Sequence, residues 1–345
     1  MIGFLAMPDD AQRLAPGKLP AALLASLLPG TRDPRVLQGP GIGRDAAVVS
    51  VGDRLLVLTS DPITFAAGAL AHYAVTVNAN DIAVVGATPR WLLATVLLPA
   101  GRAAASDAER LLRDLDSECR KLGVELVGGH TEITAAVDRS VVVGTMVGEV
   151  TRERFVASDG AIAGDVLLCT RGVPIEGLAL LGREAGEALL RAGVPGTLVA
   201  RARGLLQDPG ISVVASARHV CDAGRVHAMH DPTEGGLATA LHELADAAGV
   251  GLCIEAEAIP WLPEAAPICE ALGLDAWGLI ASGALLVALP PEEESQVAAA
   301  LDRAGIPQVR IGHCVAASEG RLLREASGAL RPLPRFDADE ITRAL

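Results

Sequence analysis

Val75-Thr76-Val77-Asn78-Ala79-Asn80-Asp81-Ile82-Ala83-Val84-Val85-Gly86 sets three polar side chains into a segment that is otherwise apolar on nearly every side. An amphipathic surface helix shows one apolar stripe, whereas a helix apolar all round is buried. The spacing therefore predicts a buried helix over residues 68–86. Asn78 and Asp81 stand i and i+3, on one face of it. A buried carboxylate without a partner costs several kcal/mol, so the triplet needs either local hydrogen bonds or a ligand. The desolvation cost favours a ligand.

Before this segment, Ala46 to Val51 and Arg54 to Thr59 flank Gly52-Asp53 and are expected to form a β-hairpin. After it, Pro89 to Leu98 is expected to be a strand. Ser106 to Leu122 has a helical stripe, a capping box of Ser106 with Glu109, and a terminating Gly123. Strands are expected at 124–127 and 140–150. Residues 151–164 are polar and without periodicity. Strands and helices alternate again beyond them, with helices near 176–191, 198–206, 212–222, 235–248, 264–272 and 292–304. The class is therefore α+β or α/β in two domains. The divisions are a lead segment over 1–38, a first domain over 39–150, a second over 160–325 and a tail over 326–345.

Composition narrows the chemistry. The chain has 345 residues, half of them apolar, a net charge of −13 and 2% aromatics. An acidic, aromatic-poor chain lacks the basic footprint and stacking platforms of a nucleic-acid binder. Lys18, in Pro-Gly-Lys-Leu-Pro, and Lys121, in Arg-Lys-Leu-Gly, are the two lysines, and neither has a P-loop setting. No segment has the ~18 consecutive apolar residues of a membrane span. Met1 to Asp10 carries acid rather than a basic leader, and the six cysteines form no CxxC pair. A cytoplasmic protein with reduced thiols is expected.

Acidic residues recur at the breaks between elements of the first half. Asp45 follows Gly41-Ile42-Gly43-Arg44, and Asp61 follows a strand. Asp81 interrupts the helix, and His130 and Glu132 follow Gly128-Gly129 in an expected turn. Converging carboxylates repel one another and suit Mg²⁺, which one or two carboxylates hold together with substrate phosphates. Each position also has a plainer explanation: a turn aspartate, a pre-proline residue, a hydrogen-bonded loop histidine. In the second half, Asp231-Pro232-Thr233-Glu234-Gly235-Gly236-Leu237 reads equally as a helix start and as an anion site at a helix N-terminus.

These motifs resemble, in order, those of the AIR synthase (PurM-like) superfamily. Gly41 to Val48 is similar to its GIGDDAAV signature, and Ser60-Asp61-Pro62 to its TTD element. Val77 to Gly86 followed by Ala87-Thr88-Pro89 is similar to its NDLAxxGAxP helix, and Gly128 to Glu132 to its GGxT turn. Asp231 to Leu237 resembles DPTxGGL, and Ser282 to Leu286 resembles SxGxLL. The last two point to the HypE-like hydrogenase maturation factors. The resemblance implies a PurM-like N-terminal domain that gives its strands to a dimeric β-barrel, followed by a PurM-like C-terminal α/β domain. It implies Mg-ATP, with Asp45, Asp61 and Asp81 on the metal, and Asn78, Asn80, Gly41, Gly43, Gly128, Gly129, Asp231, Gly235 and Gly236 around the nucleotide. Arg44 stands where the family has Asp and would add a phosphate clamp. His130 or Glu132 would be the general base.

The expected activity is phosphoryl transfer from ATP to a small-molecule substrate, in a homodimer or with a maturation-complex partner. The alternatives are a thiamine-monophosphate kinase and a non-catalytic nucleotide-binding subunit. HypE proteins end in a cysteine that carries the carbamoyl group. The last cysteine here is Cys314, so the carbamoyl cycle is not expected to run on this chain's tail.

Overall fold

A computed structural model of the chain describes residues 17–64 and 68–345. A short helix α1 (Ala21–Leu27) leads into β1 (Val36–Gln38), β2 (Ala47–Val51) and β3 (Arg54–Ile63), followed by the predicted buried helix α2 (Leu70–Val84). Then come β4 (Thr88–Pro99), α3 (Ala105–Leu122), β5 (Glu125–Thr134) and β6 (Val141–Val150). These strands form one sheet in the order β1-β2-β3-β6-β4-β5, so the sheet already begins within the lead segment. Every pairing in it is antiparallel except β4 with β5, which α3 joins as a crossover.

Helix α2 sits unusually close to this sheet. Gly144 and Gly148 lie on the buried face of β6. A Cβ at Gly144 would come 2.5 Å from the Asn78 amide, and one at Gly148 2.3 Å from the Ile82 Cγ2. Two glycines four apart thus admit two helix residues four apart and press Asn78 and Asp81 toward the strands. Helix α3 ends at Gly123 in the left-handed conformation, as predicted, with φ 69°. Its start differs from the expected capping box. Asp107 reaches back to the Ala104 N–H at 2.9 Å, so the helix begins just before Ser106.

A second difference is larger. Gly128 to Glu132 is not a turn, because β5 runs straight through it to Thr134. Gly129 lies against β4 with φ 144°, and a Cβ there would come 2.0 Å from the Ala94 carbonyl oxygen. The glycines serve strand pairing.

The second half holds β7 (Val166–Thr170), α4 (Ile175–Glu184), α5 (Gly186–Arg191), α6 (Gly196–Gly204), α7 (Val214–Ala223), β8 (Ala228–His230) and α8 (Gly236–Ala248). It continues with β9 (Gly251–Glu255), α9 (Ala265–Leu272), β10 (Leu285–Leu289), α10 (Glu294–Arg303), β11 (Gln308–Val315), β12 (Arg321–Arg324) and β13 (Leu330–Pro332). Its sheet runs β13-β12-β9-β11-β7-β10-β8. Strands β7 and β10 are buried along their whole length, as continuous apolar runs predict. The expected tail is an integral part of this half, since β13 pairs with β12 and Leu333 and Ile341 are core residues. Apolar packing is continuous between the halves: α2 and α4 to α6 share one core. All six cysteines are free thiols, and five of them are buried. No helix among the described residues is long and apolar enough to cross a membrane.

Candidate functional site

The hairpin strand β3 and helix α2 bring Asp61 and Asp81 together. Thr59 Oγ1 donates to Asp81 Oδ2 at 2.7 Å and lies 3.3 Å from Asp61 Oδ2. Asp81 is 6% exposed. Burial first, then Asp61, Asp231 and Asp45, push its carboxyl well above the usual carboxylate range. Asn78 is spent on positioning: its amide donates to the Ala74 carbonyl at 2.9 Å, and its oxygen accepts the Asp61 N–H at 3.2 Å. Asn80 is a strut between the halves. Its amide donates to the Ile211 carbonyl at 2.9 Å, and its oxygen accepts the Val213 N–H at 2.9 Å.

Asp45 crosses to the second half. His230, at the end of β8, contacts Asp45 Oδ2 at 2.7 Å and Glu243 Oε2, on α8, at 3.0 Å. Burial alone would favour the neutral ring, but the two carboxylates outweigh it and raise the His230 pKa well above its usual value. The group is a buried imidazolium clamped between carboxylates. Glu243 is held at about 2 despite burial, by Lys18 and His230. The next residue, Asp231, is 1% exposed, and neither of its carboxylate oxygens has a hydrogen-bond partner. Burial and Asp45 push it up to about 7. A buried carboxylate without a partner among the described residues calls for an explanation, and a role in ligand binding supplies one.

Other predicted residues have structural employment. Gly43 (φ 70°) docks on α8, where a Cβ would come 2.3 Å from the Glu243 carbonyl oxygen. A Cβ at Gly41 would press on the Arg44 side chain at 2.8 Å. Arg44 itself pairs with Asp159 at 2.9 Å. The Gly235 N–H, part of the expected anion site, is taken by the Asp339 carboxylate at 2.7 Å. Gly236 (φ 65°) lies against the Trp277 and Leu279 carbonyls. The start of α8 is thus capped from the tail, which leaves no open N–H at Gly235 for a phosphate.

His130 and Glu132 lie together, 3.5 Å apart, on the exposed edge strand β5. Register places Asp61, Gly144, Ala94 and Gly129 in one row across β3, β6, β4 and β5. Three strand spacings separate that edge from Asp61, roughly 14 Å. One chain alone does not bring His130 and Glu132 to the aspartates.

The sequence reading missed His230 and Thr59, described above, and four further participants. Lys18 reaches the cleft from the lead segment: its Nζ donates to Thr233 Oγ1 at 3.1 Å and lies 3.5 Å from Glu234 and 3.7 Å from Glu243. Glu176, at the start of α4, is 5% exposed, and its Oε2 has no partner. Burial pushes it up to about 8. Asp339 and Glu243 complete the set. A lone acid at a helix start carries no local signal, but the glycine pair at 144 and 148 was a readable sign of close helix approach. A separate cluster, Cys253, Glu255 and His313, has metal-ligating types. Arg324 lies within it, 3.3 Å from the Cys253 Sγ and 3.7 Å from Glu255, and already supplies the positive charge.

Comparison with known proteins identifies the family and the fold. Residues 43–150 match the AIR synthase related protein, N-terminal domain, and residues 163–324 match the AIR synthase related protein, C-terminal domain. The chain is similar to the carbamoyl dehydratase HypE of Rhodobacter capsulatus, with 32% identity over 321 residues, 90% of this chain and 89% of the relative. In fold it is similar to a HypE structure in complex with ATP, with a TM-score of 0.70, 23% identity and coverage of 93% of this chain and 91% of that one. It is similar to HypE in a HypE–HypF complex, with a TM-score of 0.69, 22% identity and coverage of 86% and 94%. A ThiL protein complexed with AMPPCP and TMP has a TM-score of 0.67, 22% identity and coverage of 85% and 90%. The two sheets with their helices are the two PurM-like domains. The chain belongs to the AIR synthase related proteins, among their HypE-like members.

Proposed function

We propose that this chain binds Mg-ATP in the acidic cleft between its halves and transfers a phosphoryl group to an oxygen of a small acid, amide or phosphate, in a hydrogenase-type maturation role. The observation that carries this is the convergence of Asp61, Asp81 and Asp231, none of them in a direct ion pair among the described residues: Asp81 is buried beside Asp61, and neither oxygen of Asp231 has a hydrogen-bond partner there. That donor set of carboxylate oxygens fits Mg²⁺. Mg²⁺ bound there would neutralise the polyphosphate and the charge that develops on transfer. The chain's own residues do the positioning. Thr59 fixes the Asp81 carboxylate, Asn78 fixes the Asp61 backbone, and Asn80 holds the 211–213 segment against α2. The acceptor oxygen attacks the γ-phosphorus, the bond to the β,γ-bridging oxygen breaks, and ADP leaves.

The ATP-bound HypE relative supports the nucleotide. The HypE–HypF complex supports a maturation partner of the same kind. A homodimer fits the exposed edge strand β5 and the half-exposed apolar residues Trp91, Leu93, Val127 and Ile133 on β4 and β5. In such a dimer His130 and Glu132 regain the opportunity to act as bases. The free, buried thiols suit a reducing cytoplasm. The test is an ATP turnover screen that separates ADP from AMP, with carbamoyl, carboxylate and phosphate acceptors and with thiamine monophosphate. ADP formed with a small acceptor supports the proposal. Thiamine diphosphate formation identifies the kinase suggested by the ThiL likeness, and tight Mg-ATP binding with no turnover identifies a non-catalytic subunit.

A further inference from the structure

Lys18 is one of two lysines in 345 residues, and it stands beside acidic residues of both halves. Its side chain is 49% exposed and that of Glu234 36%. Around it lie Glu243, Glu234, Asp45 and Asp61, whose charges outweigh the desolvation that would favour the neutral amine. Two cations, Lys18 and His230, face this acidic set, and they differ in how they are held. His230 is buried and gripped at 2.7 and 3.0 Å. Lys18 makes one hydrogen bond, to Thr233, and its two ion-pair distances of 3.5 and 3.7 Å are longer than the 2.7–2.9 Å of a tight charge-assisted bond. The preceding Gly17 has φ 125°, a backbone conformation that favours glycine, and a Cβ there would meet no atom of the described residues within 4 Å. The arginine expected to clamp phosphate, Arg44, is engaged by Asp159.

We infer that Lys18 is the phosphate-binding cation of this site: it rests on Glu234 and Glu243 and moves onto the nucleotide polyphosphate when that binds. This inference rests on the Mg-ATP proposal above. A compact ammonium on a flexible four-carbon stem suits such an exchange, because it approaches phosphate as a point charge and needs no fixed fork geometry. Lys18 then acts as part of the nucleotide site, although it lies outside both matched domains.

The test is calorimetric titration of the full chain, as wild type, Lys18→Gln and Lys18→Arg, with ATP in saturating Mg²⁺. The expected result is at least tenfold weaker binding for Lys18→Gln, about 1.4 kcal/mol, with most of the affinity kept by Lys18→Arg. Equal or tighter binding by Lys18→Gln would show that Lys18 merely neutralises its acidic neighbours, and overturns the inference while leaving the Mg-ATP proposal standing. No binding by the wild type overturns both. Should Lys18→Gln fail to fold, reductive methylation of the wild type decides, with Lys121 as internal reference. Mg-ATP is expected to slow modification of Lys18 several-fold and leave Lys121 unchanged, whereas equal rates at Lys18 with and without nucleotide overturn the inference.

Discussion

Two groups of carboxylates share one cleft and are treated in opposite ways. Asp45 and Glu243 grip a buried histidine between them. Asp61, Asp81 and Asp231 crowd together with no direct ion pair among the described residues. The first group joins β2's entry loop to β8 and α8, so it latches the two domains and is complete as it stands. The second is incomplete and carries desolvation and repulsion, which push Asp81 and Asp231 toward their protonated forms and which a bound cation would relieve. The difference separates what the fold needs from what the function needs, within a few residues of each other.

The largest effect is expected from breaking the latch. His230→Ala leaves Asp45 and Glu243 facing each other without the imidazolium, and removing one partner from a buried ionic group costs about 3–5 kcal/mol. The midpoint of urea unfolding should fall accordingly. An unchanged midpoint would place the latch outside the stability of the fold.

pH sharpens the contrast next. Glu176 and Asp231 have pKa values raised to about 8 and about 7. A raised pKa means that the folded state binds protons more tightly than the unfolded one, so their contribution to stability is full below pH 4 and is lost as pH rises toward 7 and 8. Glu243, depressed to about 2, works in the opposite sense: its contribution is present above about pH 4.5 and lost as pH falls toward 2. Glu176→Gln is therefore expected to stabilise the protein by ~4 kcal/mol more at pH 9 than at pH 5. Thermal melts across that range check it, and a constant difference would refute the assignment.

Smaller effects probe the scaffold. Gly144→Ala puts a Cβ 2.5 Å from the Asn78 amide and should cost ~1–3 kcal/mol by overpacking, with Asn78 displaced and nucleotide binding weakened. Arg44→Ala should change stability by under ~1 kcal/mol, as expected of a surface ion pair. It should leave nucleotide affinity unchanged, in contrast to Lys18→Gln.

Much of the first domain was legible in sequence because its signals are local. The all-apolar α2, the Gly52-Asp53 hairpin and the Gly123 stop each depend on a few neighbouring residues. Asp61 and Asp81 were legible for the same reason, since consecutive elements bring them together. The latch was not, because Asp45 and His230 are 185 residues apart. Lys18 and Thr233 are separated by 215 residues, and nothing around Pro-Gly-Lys-Leu-Pro announces an acidic partner. The Gly235-Gly236 motif misled for a related reason: the acid that caps it, Asp339, comes from a segment expected to be a mere tail. Gly128-Gly129 suggested a turn, yet glycine serves equally where one strand lies against another's carbonyl.

The central claim is that the unpartnered carboxylates hold the metal and its nucleotide, and Asp81→Asn tests it most directly. The amide keeps its size and accepts the Thr59 hydrogen bond, so folding should be preserved or improved as repulsion with Asp61 is removed. Mg²⁺-dependent ATP turnover, measured at saturating acceptor beside the wild type, is expected to fall at least 100-fold, about 2.7 kcal/mol of transition-state stabilisation. Turnover equal to wild type in a folded Asp81→Asn protein would contradict the account.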